Sequence, residues 1–209
     1  DPISFDSLDL YPWIRTRRKF FSFPRLNLKT LETYAGIERQ DLLYGAEVAA
    51  AYGKIDQDSS LLEHVLLHNE EDVLSPYQLH EYFQTLRDSL TMKVPVANEL
   101  KSIELVSYQR DKDFAFIEYQ SDESLEIPWQ KQNSFGRITW EDEIIRLRVP
   151  CHLGKVAEDS EEVLEVGVLQ RAGQDQSPYQ LRAPLIVMAD KDRVYVENLH
   201  RLVGSFFGS

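Results

Sequence analysis

The chain has 209 residues, room for one large or two small domains, and its 43% apolar share is enough for an ordinary packed core. A formal net charge of −12 argues against a protein that coats nucleic acid generally, which would carry a basic face, yet leaves room for a nuclease built on acidic groups. Cys151 is the single cysteine, so no internal disulfide can form and a reducing, cytoplasmic setting is expected; no apolar run approaches the ~18 residues of a membrane span, and the opening residues do not read as a basic-then-apolar leader.

In chain order, residues 1–7 read as a turn and 8–14 as a short apolar stretch holding Asp9, Tyr11 and Trp13. A basic run, Arg15-Thr16-Arg17-Arg18-Lys19, follows as an arginine-rich turn, then Phe20-Phe21-Ser22-Phe23-Pro24. Asn27 is a candidate N-cap; Leu28, Leu31, Tyr34 and Ala35 recur at helical spacing, and Gly36 supplies a stop. Residues 41–52 predict a second helix with Leu43, Tyr44, Val48, Ala51 and Tyr52 as its apolar set. A loop over 53–60 leads to a third helical pattern from Ser60, through Leu61, Leu62, Val65 and Leu66 to Tyr82, Phe83 and Leu86. Pro76 removes the hydrogen bond to the Asp72 carbonyl, which predicts a kink or break at Ser75-Pro76.

The pattern changes near Lys93-Val94-Pro95 and becomes period two from residue 101. Strands are predicted around 103–107 and 114–119, joined by a hairpin at Arg110-Asp111-Lys112, and then at 136–141, 144–149, 163–169 and 185–188. The acidic run 158–162 reads as a solvated loop, and Val194, Val196, Leu199, Leu202, Val203 and Phe206 give a closing helix. The expectation is an α+β chain: a helical portion over 1–95, then a mainly antiparallel β domain with a terminal helix over 96–209.

The most informative stretch is His68-Asn69-Glu70-Glu71-Asp72. Residues four apart share a helical face, so His68 and Asp72 can converge on one water as base and metal-binding carboxylate. His64 extends the stripe. It admits three readings: a zinc site, a magnesium- or manganese-type site with further carboxylates, or a polar face with i,i+4 pairs. Glu70 and Glu71 fall off this face and read as solvated. Asp9, between two leucines, can approach a metal or cap a turn. The arginines at 15, 17 and 18 and Lys19, interleaved with aromatics, suit phosphate contact and base stacking, or form a surface turn whose aromatics enter the core. Cys151-His152 lacks a second ligand pair, and no phosphate-binding glycine loop, nucleophile elbow or dinucleotide fingerprint appears. From Val96 onward 20 acidic and 13 basic side chains leave a balance of −7, which favours a protein partner over nucleic acid there.

Several pieces occur together in order: Asp9-Leu10-Tyr11, the arginine-rich run, Leu28-Lys29-Thr30-Leu31-Glu32, Gly36-Ile37-Glu38-Arg39, Gly45-Ala46-Glu47, Tyr52, and 68–75. Over about residues 9–90 this resembles the later half of the YprB-type ribonuclease-H-like domain, a group of DEDD-superfamily exonucleases. The resemblance implies phosphodiester hydrolysis at the 3′ end of DNA or RNA with two divalent metals, magnesium or manganese. It implies Asp72 as the last acidic ligand and His68 as the water-activating residue, with Asp9 and Asn69 near the site. Arg15, Arg17, Arg18 and Lys19 would steady the nucleic-acid backbone. The family's Asp-x-Glu strand and its Asn…Phe-Asp motif have no counterpart here. The expectation is therefore the C-terminal part of a longer exonuclease, incomplete without upstream motifs. The alternative is a non-catalytic protein- or nucleic-acid-binding module with a degenerate nuclease half.

Overall fold

The computed structural model describes residues 9–41, 43, 45–97, 99–157, 160–170 and 173–207. The expected turn at 1–7, Tyr44 and the start of the acidic run at 158–159 lie outside the described residues. The chain is α+β, as its patterning predicts: helices α1 (Leu10–Phe21), α2 (Leu28–Ala35), α3 (Gly45–Tyr52) and α4 (Ser60–Leu90) precede nine strands and α5 (Val196–Phe207). None of the helices, among the described residues, is long and apolar enough to cross a membrane.

The basic run 15–19 belongs to a helix rather than a turn. Trp13, Ile14, Arg17, Phe20 and Phe21 recur every three or four residues, and α1 buries Ile14 and Phe20. The Asp9 carboxylate caps its start by accepting from Tyr11 N–H at 3.0 Å, and Arg18 and Lys19 oppose the dipole at its end. Asn27 caps α2 as expected, accepting from Thr30 N–H at 2.8 Å, and Gly36 ends it in the left-handed backbone at φ 72°.

The break expected at Pro76 does not occur, and α4 runs unbroken for 31 residues. Val65, His68, Ser75, Leu79, Phe83 and Leu90 are buried at helical spacing on both sides of the proline. Burial along that stripe outweighs the single hydrogen bond that Pro76 cannot make.

By internal contacts the chain forms two compact units. One takes α1 together with Arg87–Ser209, and the other is Phe23–Leu86. The last turn of α4 therefore counts with the first unit.

In the first unit the strands are β1 (Thr91–Val96), β2 (Glu99–Asp111), β3 (Phe114–Ser121), β4 (Trp129–Asn133), β5 (Gly136–Glu141), β6 (Ile144–Pro150), β7 (His152–Lys155), β8 (Val163–Val168) and β9 (Leu185–Ala189). Six form a sheet in the order β1-β2-β3-β6-β5-β4, and three form a second sheet, β7-β8-β9. All of these pairings are antiparallel. The strands that periodicity does not predict, β1, β4 and β7, all lie at sheet edges. Edge strands bury one flank only and tolerate the proline of β1 and the polar Trp-Gln-Lys-Gln-Asn of β4.

The inner face of the larger sheet, with Ile103, Leu105, Ile117, Tyr119, Ile138, Trp140, Ile145 and Leu147, packs with Ile186, Met188 and the apolar face of α5 in one core. Gly136 opens β5 at φ 154°, and a Cβ there would lie 2.5 Å from the Arg148 carbonyl oxygen, so only glycine permits this approach of β5 to β6. Phe206 of α5 is fully buried in that core. Phe206→Ala should lower the unfolding free energy by about 3–5 kcal/mol, read as a fall in the urea midpoint at unchanged slope.

Candidate functional site

The site is built in the Phe23–Leu86 unit from three pieces: α2, the segment 37–41 that follows it, and the middle of α4. On α2, Glu32 lies beside Leu28, Leu31 and Ala35, so the packing that buries the apolar stripe also buries a carboxylate. A carboxylate in that position needs a cation. Arg39 supplies it.

The Arg39 side chain is only 9% exposed. Its Nη1 donates to both Glu32 oxygens at 3.1 and 3.2 Å. Its Nε donates to Glu71 Oε2 at 3.2 Å, and its Nη2 to Asp72 Oδ1 at 2.5 Å, with Asp41 Oδ2 3.6 Å from the same nitrogen. Burial opposes the charge on Arg39, but its hydrogen bonds to Asp72 and Glu32 outweigh it and raise the guanidinium's pKa further above its usual value. Glu71 also accepts from the backbone N–H groups of Gln40 and Asp41, which ties α4 to the 37–41 segment. Glu71, expected to be solvated, is therefore part of the network.

His68 sits between two carboxylates. Its Nδ1 lies 2.6 Å from Asp41 Oδ2, and its Nε2 lies 3.2 Å from Asp72 Oδ2. The Asp41 side chain is 1% exposed and that of Asp72 is 41% exposed. Burial pushes the Asp41 pKa up, but the His68 hydrogen bond, the Leu43 N–H and the Lys29 charge together hold it below the usual carboxylate range. An ionised Asp41 only accepts, so His68 donates Nδ1–H to it. That bond fixes the ring and aims Nε2 at Asp72, the arrangement in which a buried acid orients a base.

The structure thus brings the predicted pair, His68 and Asp72, onto one face of α4. Asn69 is exposed there and donates to the Tyr52 hydroxyl at 3.1 Å. Asp9 is the cap of α1 and belongs to the other unit. In that unit Arg17 pairs with Glu104 at 2.8 Å and Lys19 donates to the Tyr108 carbonyl at 2.5 Å, so both anchor α1 to β2; Arg15 and Arg18 are exposed. Periodicity missed Asp41, Arg39, Glu32 and Glu71. The available signal was Glu32 on an apolar stripe, which demands a buried cation nearby.

Among the described residues no group of three or more His, Cys, Asp or Glu side chains is placed to hold a metal ion. The His64, His68, Asp72 stripe is not gathered around a common point, and His64 is exposed. A hard divalent cation wants about six oxygen ligands. The oxygens of Glu32, Asp41, Glu71 and Asp72 are instead turned to Arg39, His68 and backbone N–H groups. These residues do not fit a two-metal centre by themselves.

Residues 2–84 match the family model of the RNase H superfamily, a stretch that spans α1 and nearly all of the site-bearing unit. No curated protein and no solved structure gives a significant match to the chain.

Arg39→Ala would leave Glu32 and Asp41 buried without their guanidinium and should cost about 3–5 kcal/mol in urea unfolding. Arg39→Lys should recover only part of this, since one ammonium lacks the planar fork. The pH dependence has a definite sign. Asp41's folded pKa lies below its unfolded value, so the unfolded state binds more protons and stability rises with pH across that window. The contribution is complete above the unfolded Asp value near ~3.9 and is lost as pH falls through the lowered folded value. Asp41→Asn should flatten the acid limb of the stability profile; an unchanged limb would remove Asp41 from the network.

Proposed function

We propose that the stretch matching the RNase H superfamily works as part of a YprB-type exonuclease, removing nucleotides from the 3′ ends of DNA or RNA. The observation that carries this reading is the position of His68. Its Nδ1–H is held by buried Asp41, and its Nε2 faces Asp72, the most exposed carboxylate of the cluster. In this reading a water bound beside Asp72 loses a proton to His68 Nε2 as its oxygen bonds to the phosphorus of the terminal phosphodiester; the bond from that phosphorus to the preceding nucleotide's 3′ oxygen breaks, and the leaving 3′ oxygen takes up a proton from solvent. Asp41 steadies the imidazolium that forms, and Asp72 orients the water. Magnesium or manganese, the cofactor of related nucleases, would neutralise the phosphate. Carboxylates other than those gathered around Arg39 would have to complete its coordination.

A second reading, a non-catalytic binding module, is favoured by one observation: Asp72 Oδ1 already accepts from Arg39, and its Oδ2 lies 3.2 Å from the His68 ring. One experiment separates the two. A 5′-labelled single strand is incubated with manganese and the product of the complete reading frame encoding this chain. The catalytic reading expects shortening from the 3′ end. His68→Ala should slow it by roughly 10²–10⁴-fold, the usual worth of a general base, and Asp72→Asn should slow it at least as much. No shortening by the unaltered protein, or full activity in Asp72→Asn, gives the binding-module reading.

A further inference from the structure

The outer face of the six-stranded sheet carries arginines that the site around His68 does not use. Strand register places Phe116, Arg148 and Arg137 in one row across β3, β6 and β5, and Glu118, Arg146 and Thr139 in the next. Ile117, Leu147 and Ile138 alternate with them and are buried, so both rows face outward. The rows line a groove of about 440 Å³.

The charges there are arranged against the sheet's own stability. Arg137 and Arg148 are directly opposite on neighbouring strands, where like charges destabilise the pairing. Glu118 does not relieve them, because it accepts from Arg146 at 2.9 Å. No carboxylate, among the described residues, lies within ion-pair distance of Arg137 or Arg148. Both are instead held by neutral groups. The Arg148 guanidinium lies 3.7 Å over the Phe114 ring, and Arg137 donates to Gln130 Oε1 at 2.9 Å. Neutral partners fix the side chains and leave their positive charge for a ligand. Beside them Phe116 is 40% exposed on the same face.

We infer that this face binds single-stranded nucleic acid, with Arg137 and Arg148 on the phosphates and Phe116 under a base. The geometry suits an extended strand: Arg137 is one strand spacing, about 5 Å, from Arg148, and Phe116 is one strand spacing from Arg148 on its other side. Open sheet faces offer the flat platform on which unpaired bases stack beside phosphate-binding arginines. A duplex keeps its base faces stacked and has none to give Phe116. An acidic peptide would satisfy the arginines but leave the ring without a planar partner. The face therefore selects a single strand within a half-chain whose balance is acidic.

The test is fluorescence anisotropy of labelled DNA and RNA single strands of about 15 nucleotides, with the full chain and a chelator present so that hydrolysis plays no part. Arg137→Gln and Arg148→Gln should each weaken binding about three- to tenfold and reduce the steepness of the logarithmic salt dependence by about one. Phe116→Leu should weaken it about fivefold or more with the salt dependence unchanged. Thermal melts of each variant confirm that the sheet is intact. Four results would overturn the inference: no binding at about 50 mM salt, equal binding to a duplex, equal binding to polyglutamate, or sheet variants that bind like the unaltered chain while Arg15→Gln and Arg18→Gln abolish binding.

Discussion

A single guanidinium organises the Phe23–Leu86 unit. Arg39 touches Glu32 on α2 and Glu71 and Asp72 on α4, and approaches Asp41 of its own segment. Remove it and nearly inaccessible Glu32 stands without a counter-charge, while equally buried Asp41 keeps only Lys29 at 4.0 Å and the His68 ring. Through Arg39, α2 is tied to α4. Lysine could supply the charge but not the planar fork that serves three or four oxygens at once. The chemistry around His68 inherits this rigidity: the ring is placed by Asp41, and Asp41 is placed by the amides and cations around it.

The same network bears on what the site can hold. Four carboxylates converge on one guanidinium, with Lys29 4.0 Å from Asp41 as the next cation. The cluster is negative overall, as a centre for phosphate chemistry with divalent ions must be, yet most of its contacting oxygens already accept from donors within the chain. Asp72 is the exception in one respect, since much of its side chain remains open to solvent. A hydrolytic role places the reacting groups at that opening. A binding role leaves the cluster as scaffold.

The first unit follows a different logic. Its stability comes from apolar burial between the inner face of the large sheet, part of the second sheet and α5. The outer face of β3, β6 and β5 takes no part in that core, and there the strand register sets Arg137 against Arg148. Repulsion between opposed arginines is a cost the core can absorb. The acidic balance of this half is a sum over many loops and edges, and it conceals a basic row that exists only once the strands are paired.

Much of this was legible in the residues alone. Local signals lie within a few positions of each other: Asn27 and Gly36 bound α2, period-two runs mark the central strands, and the spacing of His68 and Asp72 puts them on one helical face. They depend on backbone geometry that each segment carries with it. What failed was also local in appearance. Pro76 looked like a kink or break and the helix runs unbroken, the basic run looked like a turn, and the edge strands β1, β4 and β7 went unpredicted, because the burial that decides each case comes from distant segments. Glu71 looked solvated because its partners lie 30 to 32 residues back. Arg39, Asp41 and Glu32 could be recognised as a set only after α2 and α4 were folded together. The sequence determined which helix face carries the histidine and the acid; only tertiary structure decided which charges that pair would meet, because a buried ion's partner is chosen by packing across the chain and not by spacing along it.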